Sequence, residues 1–400
     1  MASASTPTTT PSRLLRLPLE LFSSIASHLP NRDIKNLRLV CRAACSVAEL
    51  RIPRVFLSAN RLNVDVLHAI ADHETYRKQV VEIVWDDARL LAPKVYTFGY
   101  ATTVDPHPDQ TWRSSCLHDQ LEPNYQFSDG DCPQWFRDVC EDNIEIVRNR
   151  KRNDVDRPDH IARDQQIADR LPLKESWAYY QDLLRQQEEV LRSGADINAL
   201  RRGLECFPAL RRVTITPLAH GQLFTPLYET PMIRAFPRGF NYSIPRTWFV
   251  NEHQMIPFPR AWNLMNEAEK NQWRGVRIIL RELVHVQGHH VDELVIDVVH
   301  LLSGFNCTIF AETCAEYNDF LALLRRPGFR RLDLALATPR QRYEEDWSAF
   351  RSGHLWRALA MARDMEHISL RTDDTNENYF GPDGNTDPHF IPLKTVFPIE

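Results

Sequence analysis

Apolar positions along the chain fall into two regimes. Between Leu14 and Leu50 they recur every three or four residues in short runs: Leu21, Phe22, Ile25 and Leu29, then Ile34 and Leu37, then Val40, Ala44 and Val47. Each run lies on one face of a helix, so three short helices are predicted. Pro18 suits the first turn of the first helix, where a missing N–H costs nothing. Pro30 stops that helix, and Asn31 or Asp33 can cap the second. A module of this size leaves much of its apolar surface uncovered. It needs a partner surface, either the rest of the chain or a groove on another protein.

The second regime begins with Val55-Phe-Leu-Ser-Ala-Asn60, a helical stretch from Val64 to Ala71, and Val80-x-x-Ile83-x-Trp85, which suits a strand. The same phrase returns at Phe207-x-x-Leu210-x-x-Val213-x-Ile215, Val291-x-x-Leu294-x-Ile296, Phe329-x-x-Leu332-x-Leu334 and Met365-x-x-Ile368-x-Leu370. Helical segments, Asn318 to Arg325 and Trp347 to Met361, separate the later units. The expected fold class is therefore α+β: a small three-helix module followed by an irregular helix–strand repeat, a degenerate leucine-rich-repeat-like array. Stacked units of this kind present a curved face suited to gripping another protein. An ordinary α/β domain whose strands open on the same phrase is the alternative.

Residues 99 to 160, rich in Pro, Asp, Trp and Asn, read as a long insertion without periodicity. Within it, Arg148-Asn-Arg-Lys-Arg152 reads as a solvated basic face rather than a nuclear localisation signal. A long helix is expected from Leu173 to Arg192, with Trp177, Tyr180, Leu184 and Leu191 on one side, Gly194 as its stop and Asp196 capping the next. Phe390 to Glu400 reads as the opening of a further strand unit in a chain that continues. The boundaries are a disordered tail at 1–12, the helical module at 13–52 and the repeat-like domain at 53–400.

Composition narrows the functional classes. A formal net charge of −5 gives no general attraction to nucleic acid or anionic lipid, so neither is an expected partner. Eight scattered cysteines fit reduced thiols rather than a disulfide framework. Met1 to Pro11 lacks the basic and apolar regions of a secretory signal, and charges interrupt every apolar run before the ~18 residues of a membrane span. The cytosol or nucleus is the expected location.

Candidate chemistry is thin. His285, His289 and His290 with Asp292 and Glu293 lack a zinc-protease signature, and Cys116, His118, Cys132 and Cys140 lack the close cysteine pairs of structural zinc sites. Asp86 and Asp87 read as solvated carboxylates at a strand end. With only 13 glycines, no phosphate-cradling loop stands out. The chain is expected to have no catalytic residue, metal or cofactor.

Leu17-Pro18-x-Glu20-Leu21, Ile25, Leu29-Pro30, Asp33 and Leu37-x-Leu39-Val40-Cys41-Arg42 follow, almost position by position, a pattern that resembles the F-box. After Arg42, where F-boxes often carry a large aromatic, stand Ala43, Ala44 and Cys45. The resemblance implies docking on a Skp-type linker, and through it a cullin, by Leu17, Pro18, Leu21, Ile25, Leu29, Pro30, Leu37 and Val40. Residues to Asn60 include eight Lys and Arg against three acids, which would speed encounter with an acidic linker. Gln186 to Asp196, Phe207 to Ile215, Arg54 to Asn60 and Val84 to Arg89 look like fungal F-box proteins with irregular leucine-rich repeats. What this implies is a non-catalytic substrate adaptor of an SCF-type ubiquitin ligase with an unknown target protein. The alternative is a non-ligase interaction scaffold whose N-terminal helices cap its own repeats.

Overall fold

The computed structural model describes residues 17–90, 132–149, 158–245, 248, 260–299, 303–338, 347–372 and 391–398. The chain divides into two compact units, Met1–Pro53 and Arg54–Glu400. The first holds helices α1 (Leu19–Ser27), α2 (Asn31–Val40) and α3 (Arg42–Val47). The zinc candidates Cys116 and His118, the tail at 1–12 and residues 150–152 of the basic cluster lie outside the described residues.

The second unit runs β1 (Arg54–Ser58), α4 (Arg61–Asp72), β2 (Glu82–Asp86), α5 (Gln134–Asn149), α6 (Pro158–Ala168), α7 (Leu173–Ser193), α8 (Ala195–Cys206) and β3 (Arg212–Thr216). It continues with α9 (Pro231–Arg234), α10 (Glu267–Lys270), α11 (Arg274–His285), β4 (Glu293–Ile296), β5 (Phe305–Asn306), α12 (Ala315–Leu324) and β6 (Arg331–Ala337). Last come α13 (Ser348–Arg351), α14 (His354–Ala360), β7 (His367–Thr372) and α15 (Leu393–Val396). Among the described residues seven strands form one sheet, and each strand pairs its neighbours in parallel. Strands β1 to β4 follow chain order; β4 and β5 both pair β6, and β7 pairs β6.

Each recurring phrase becomes a strand in the same register. The first places, Arg54, Glu82, Arg212, Glu293, Arg331 and His367, stand side by side. Alternation then sends the second and fourth places to one face. There Val55, Leu57, Ile83, Trp85, Val213, Ile215, Leu294, Ile296, Leu332 and Leu334 are buried. Helices press on this face closely enough to exclude side chains. A Cβ on Gly203 of α8 would fall 2.9 Å from Ile83 Cδ1, and one on Gly275 of α11 would fall 2.4 Å from Trp85 Nε1. The strands also begin alike. Arg211 and Arg212 both donate to Val81 O, Asp292 and Glu293 to Arg211 O, Arg330 and Arg331 to Asp292 O, and Glu366 and His367 to Arg330 O.

Several expectations change. The insertion contains the helix α5, whose Phe136, Val139, Cys140, Ile144 and Val147 are buried at helical spacing. Phe136 packs within 5.2 Å of Tyr180 between ring centroids and 5.0 Å of Trp177, so α5 and α7 share an aromatic core. On α7 the expected Trp177 and Tyr180 are buried in this core with Leu183, Leu184 packs partly against it, and nearer the C-terminal end Val190 is buried while Leu191 is half-buried. The segment from Trp347 to Met361 is two helices, broken at Gly353 with φ 74°. Leu393 to Val396 is a short helix, not a strand: Pro392 sets its start and Val396 buries its side chain.

Candidate docking surface

The first unit has its own small core. Phe22 and Ala26 of α1 meet Ile34 of α2 and Ala48, with Leu29, Leu37, Val47 and Leu50 packed partly against them. Pro18 precedes α1 as its N-cap residue and Pro30 does the same for α2, each holding the φ near −60° that a helix entry requires (−51° and −67°). Asn31 is not the cap. Its side chain is taken by Arg51: Arg51 N–H donates to Asn31 Oδ1 at 3.0 Å and Asn31 Nδ2 donates to Arg51 O. The Arg51 guanidinium donates to Ser27 O and Leu29 O, carbonyls left over at the end of α1. Cys41, extended at φ −164°, separates α2 from α3, so Val40 closes the second helix instead of opening the third.

These ties fix which apolar side chains stay outside. Leu21 and Ile25 lie one turn apart on the outer face of α1 and are exposed, as is Pro18 ahead of them. Val40 is 72% exposed and Pro30 is exposed; Leu17 is half-buried. Leu29 and Leu37, also candidate contacts, are half-buried against the module's own core. Leu19 and Leu39 were not among the candidates, yet they are exposed, Leu39 by 85%. For Leu39 the signal is phase: it sits out of step with Ile34 and Leu37, so a helix that buries those two turns Leu39 to solvent. Leu19 keeps step with Phe22 and Ala26, and its exposure at the first turn has no such signal in the sequence. Covering one such leucine removes about 1.5–3 kcal/mol of exposure cost, which makes this face suited to docking by burial.

The candidate acid pair lies elsewhere and is not solvated. Asp86 and Asp87 are buried because His220, Tyr242, Trp248 and Gly275 close over the end of β2. Asp87 accepts from Trp248 Nε1 at 2.8 Å, Gly275 N–H at 2.9 Å and Trp85 Nε1 at 3.3 Å. Asp86 Oδ1 accepts from Ala88 N–H at 3.0 Å, while Oδ2 stands 3.7 Å from His220 Nε2, beyond hydrogen-bond range. The other ring nitrogen of His220 is 2.8 Å from the Tyr242 hydroxyl. Burial pushes the Asp86 carboxyl up to about 8 and the His220 imidazole down to about 3, so both are neutral near pH 7. The group is buried and linked through these hydrogen bonds to α11 and to the segment carrying Tyr242 and Trp248.

Asp196, the expected helix cap, is instead a buried ion-pair partner. Gly194, at φ 65°, occupies the cap position, and both carboxylate oxygens of Asp196 are held by Arg274 at 2.5 and 3.0 Å. The histidines of the metal candidate are engaged separately. His285 Nδ1 contacts Arg281 O at 2.8 Å and His289 Nε2 contacts Leu283 O at 3.0 Å, with Arg326 also against His289. Cys132 and Cys140 are buried in the aromatic core, where burial raises the Cys140 thiol far above its ordinary range. Among the described residues no cluster of three metal-binding side chains forms, and no helix is long and apolar enough to cross a membrane.

The buried carboxyl carries a pH signature. Between pH 3.8 and 8 folded Asp86 keeps a proton that the unfolded chain has lost, so rising pH removes stability throughout that window. His220 acts oppositely between pH 3 and 6.5, where the unfolded chain binds a proton that the folded one refuses. Above pH 6.5 the His220 contribution has ended and that of Asp86 remains; burial raises Asp87 too, which gives it the same sign as Asp86. Thermal melts are expected to lose about 2 kcal/mol between pH 6.5 and 8, and Asp86→Asn should flatten that loss. An unchanged slope in the Asn variant would assign the loss to other groups.

No curated protein matches the chain. A family model described as the F-box domain matches residues 14–55, the stretch that spans the three helices and their outer leucines. F-box domains generally bind Skp-type linkers in cullin-based ubiquitin ligases. The chain therefore carries an N-terminal F-box domain, followed by a mixed helix–strand domain built on a parallel sheet.

Proposed function

We propose that this chain is the substrate-recognition adaptor of an SCF-type E3 ubiquitin ligase. The observation that carries the reading is the set of apolar side chains left outside the F-box core. Leu17, Pro18, Leu21, Ile25, Pro30 and Val40 would pack on a Skp-type linker, with Leu19 and Leu39 added to them and Leu29 and Leu37 backing them from the module's core. A cullin joins through the linker, and the adaptor itself performs no chemistry.

In this reading the second unit is an irregular leucine-rich-repeat-like array that holds the target protein. Support comes from strands in chain order, from their shared register and from the paired N–H groups that open four of them. Holding target and ligase on one scaffold raises the local concentration for ubiquitin transfer by partner subunits. The place of action is the cytosol or nucleus.

Co-expression with linker and cullin tests the proposal. The chain is expected to elute with both and to bring a set of cellular proteins to ubiquitination. Elution apart from the linker would leave a non-ligase scaffold instead.

A further inference from the structure

The strands of the parallel sheet alternate in charge. Strand β1 begins Arg54-Val-Phe-Leu-Ser58 and β3 begins Arg212-Val-Thr-Ile-Thr216, whereas β2 reads Glu82-Ile-Val-Trp-Asp86 and β4, with the residue after it, reads Glu293-Leu-Val-Ile-Asp297. Each acidic strand sits beside a basic one in register. Glu82 meets Arg54 at 2.6 Å and Glu293 meets Arg212 at 2.6 Å, while Thr214 of β3 donates to Glu82 at 2.6 Å. The acidic strands share one pattern: acid, aliphatic, valine, large apolar, acid. Their first and fifth side chains line one face and their second and fourth fill the helix-covered core.

The alternation fails at β7. Strand β6 begins with Arg331, and the next strand brings His367 and Arg371 rather than two acids. Within the paired strands Asp333 takes Arg331 at 2.6 Å and His367 at 3.0 Å, and just ahead of them Glu366 stands 3.8 Å from Arg330. Arg371 is exposed, and among the described residues it makes no ion pair. Strand β7 is also the end of the sheet among those residues, and its core side is open. Ile368 is 37% exposed, whereas Val55 and Leu57 of β1, the strand at the opposite end of the sheet, are 2% and 0% exposed. Trp356 and Met361, from the helix that leads into β7 and just beyond it, are likewise uncovered. Successive N–H groups of a parallel strand point to opposite sides. Since His367 donates to Arg330 O, those of Ile368 and Leu370 face the side of β7 that no described strand pairs.

We propose that this edge takes a further parallel strand from a partner protein, an extended segment of the pattern acid–aliphatic–any–aliphatic–acid. Its acids would stand beside His367 and Arg371, as Glu82 stands beside Arg54 and Arg212. Its aliphatic side chains would cover Ile368 and Leu370, and its backbone would complete the ladder. The proposal names the chemistry of the target segment and rests on the adaptor reading for its biological setting.

Fluorescence anisotropy with the full chain tests it, using a labelled peptide containing Glu-Leu-Val-Ile-Asp, its amide counterpart Gln-Leu-Val-Ile-Asn, and the acidic peptide N-methylated at alternate residues. The acidic peptide is expected to bind about five- to tenfold more tightly than the amide, the size that two cross-strand charge pairs provide. N-methylation should abolish binding. Arg371→Glu should shift preference to a peptide containing Lys-Leu-Val-Ile-Lys. Equal binding of acidic and amide peptides, no binding, or a preference unmoved by Arg371→Glu would overturn the proposal. So would an edge already filled by a second copy, seen as a dimer that Arg371→Glu dissociates. Linker binding by the same preparation is read separately, so an inert edge with intact linker binding defeats this inference and leaves the adaptor reading standing.

Discussion

Leu39→Asp is expected to weaken binding to a Skp-type linker by about 100-fold or more while leaving the fold of the chain intact. The side chain is 85% exposed, so the free protein loses no packing when it is replaced. In the docked state the same position would place a carboxylate in an apolar contact. Lost burial then adds to the cost of stripping water from a charge, several kcal/mol in all. Ile25→Asp should behave alike. Ile34→Ala is the contrasting case. Ile34 is 1% exposed at the centre of the module, and removing its side chain should cost about 2–5 kcal/mol of folding free energy. Circular dichroism and linker titration separate the two classes: the outer variants should lose binding with unchanged melts, and the core variant should lose both.

The second large effect concerns stability of the helix–strand unit. Asp196→Ala is expected to cost about 3–5 kcal/mol, because it strands the charge of Arg274, which is largely buried. The guanidinium lies 5.9 Å from the centre of the Trp85 ring, beside the cationic Arg89, and the nearby Asp87 carboxyl already serves both arginines and the two tryptophan N–H groups that donate to it. Replacing both partners by apolar residues of similar volume should recover most of the loss. Denaturant melts of the two single variants and the double variant measure this directly. A single-variant loss under 1 kcal/mol would mean that water reaches the pair.

How far the chain could be read without coordinates follows from the range of the forces involved. Pro18, Pro30 and the leucines between them act locally, and their positions decide where the first two helices begin and end. The strand phrase was legible for the same reason: Phe207, Leu210, Val213 and Ile215 report alternation and burial within a few residues. Helix α5 was hidden by its setting, since Phe136, Val139, Cys140 and Ile144 keep helical spacing inside a stretch crowded with Asp, Asn and Trp. The settings of Asp86, Asp87 and Asp196 are not legible locally, because what surrounds them comes from far along the chain. Whether a carboxylate at a strand end meets water or Trp248, His220 and Gly275 is a tertiary matter, and so is the claim of Arg274 on Asp196. On the docking face the motif marked the helices, while exposure separated Leu39 and Val40 on the outside from Leu29 and Leu37 within.

Isothermal titration of a purified Skp-type linker into the full chain tests the central claim most directly. The adaptor reading expects one linker per chain with sub-micromolar affinity, on the order of −8 kcal/mol or better, and a negative heat-capacity change from apolar burial. No heat of binding, or binding left untouched by Leu39→Asp and Ile25→Asp together, would contradict it.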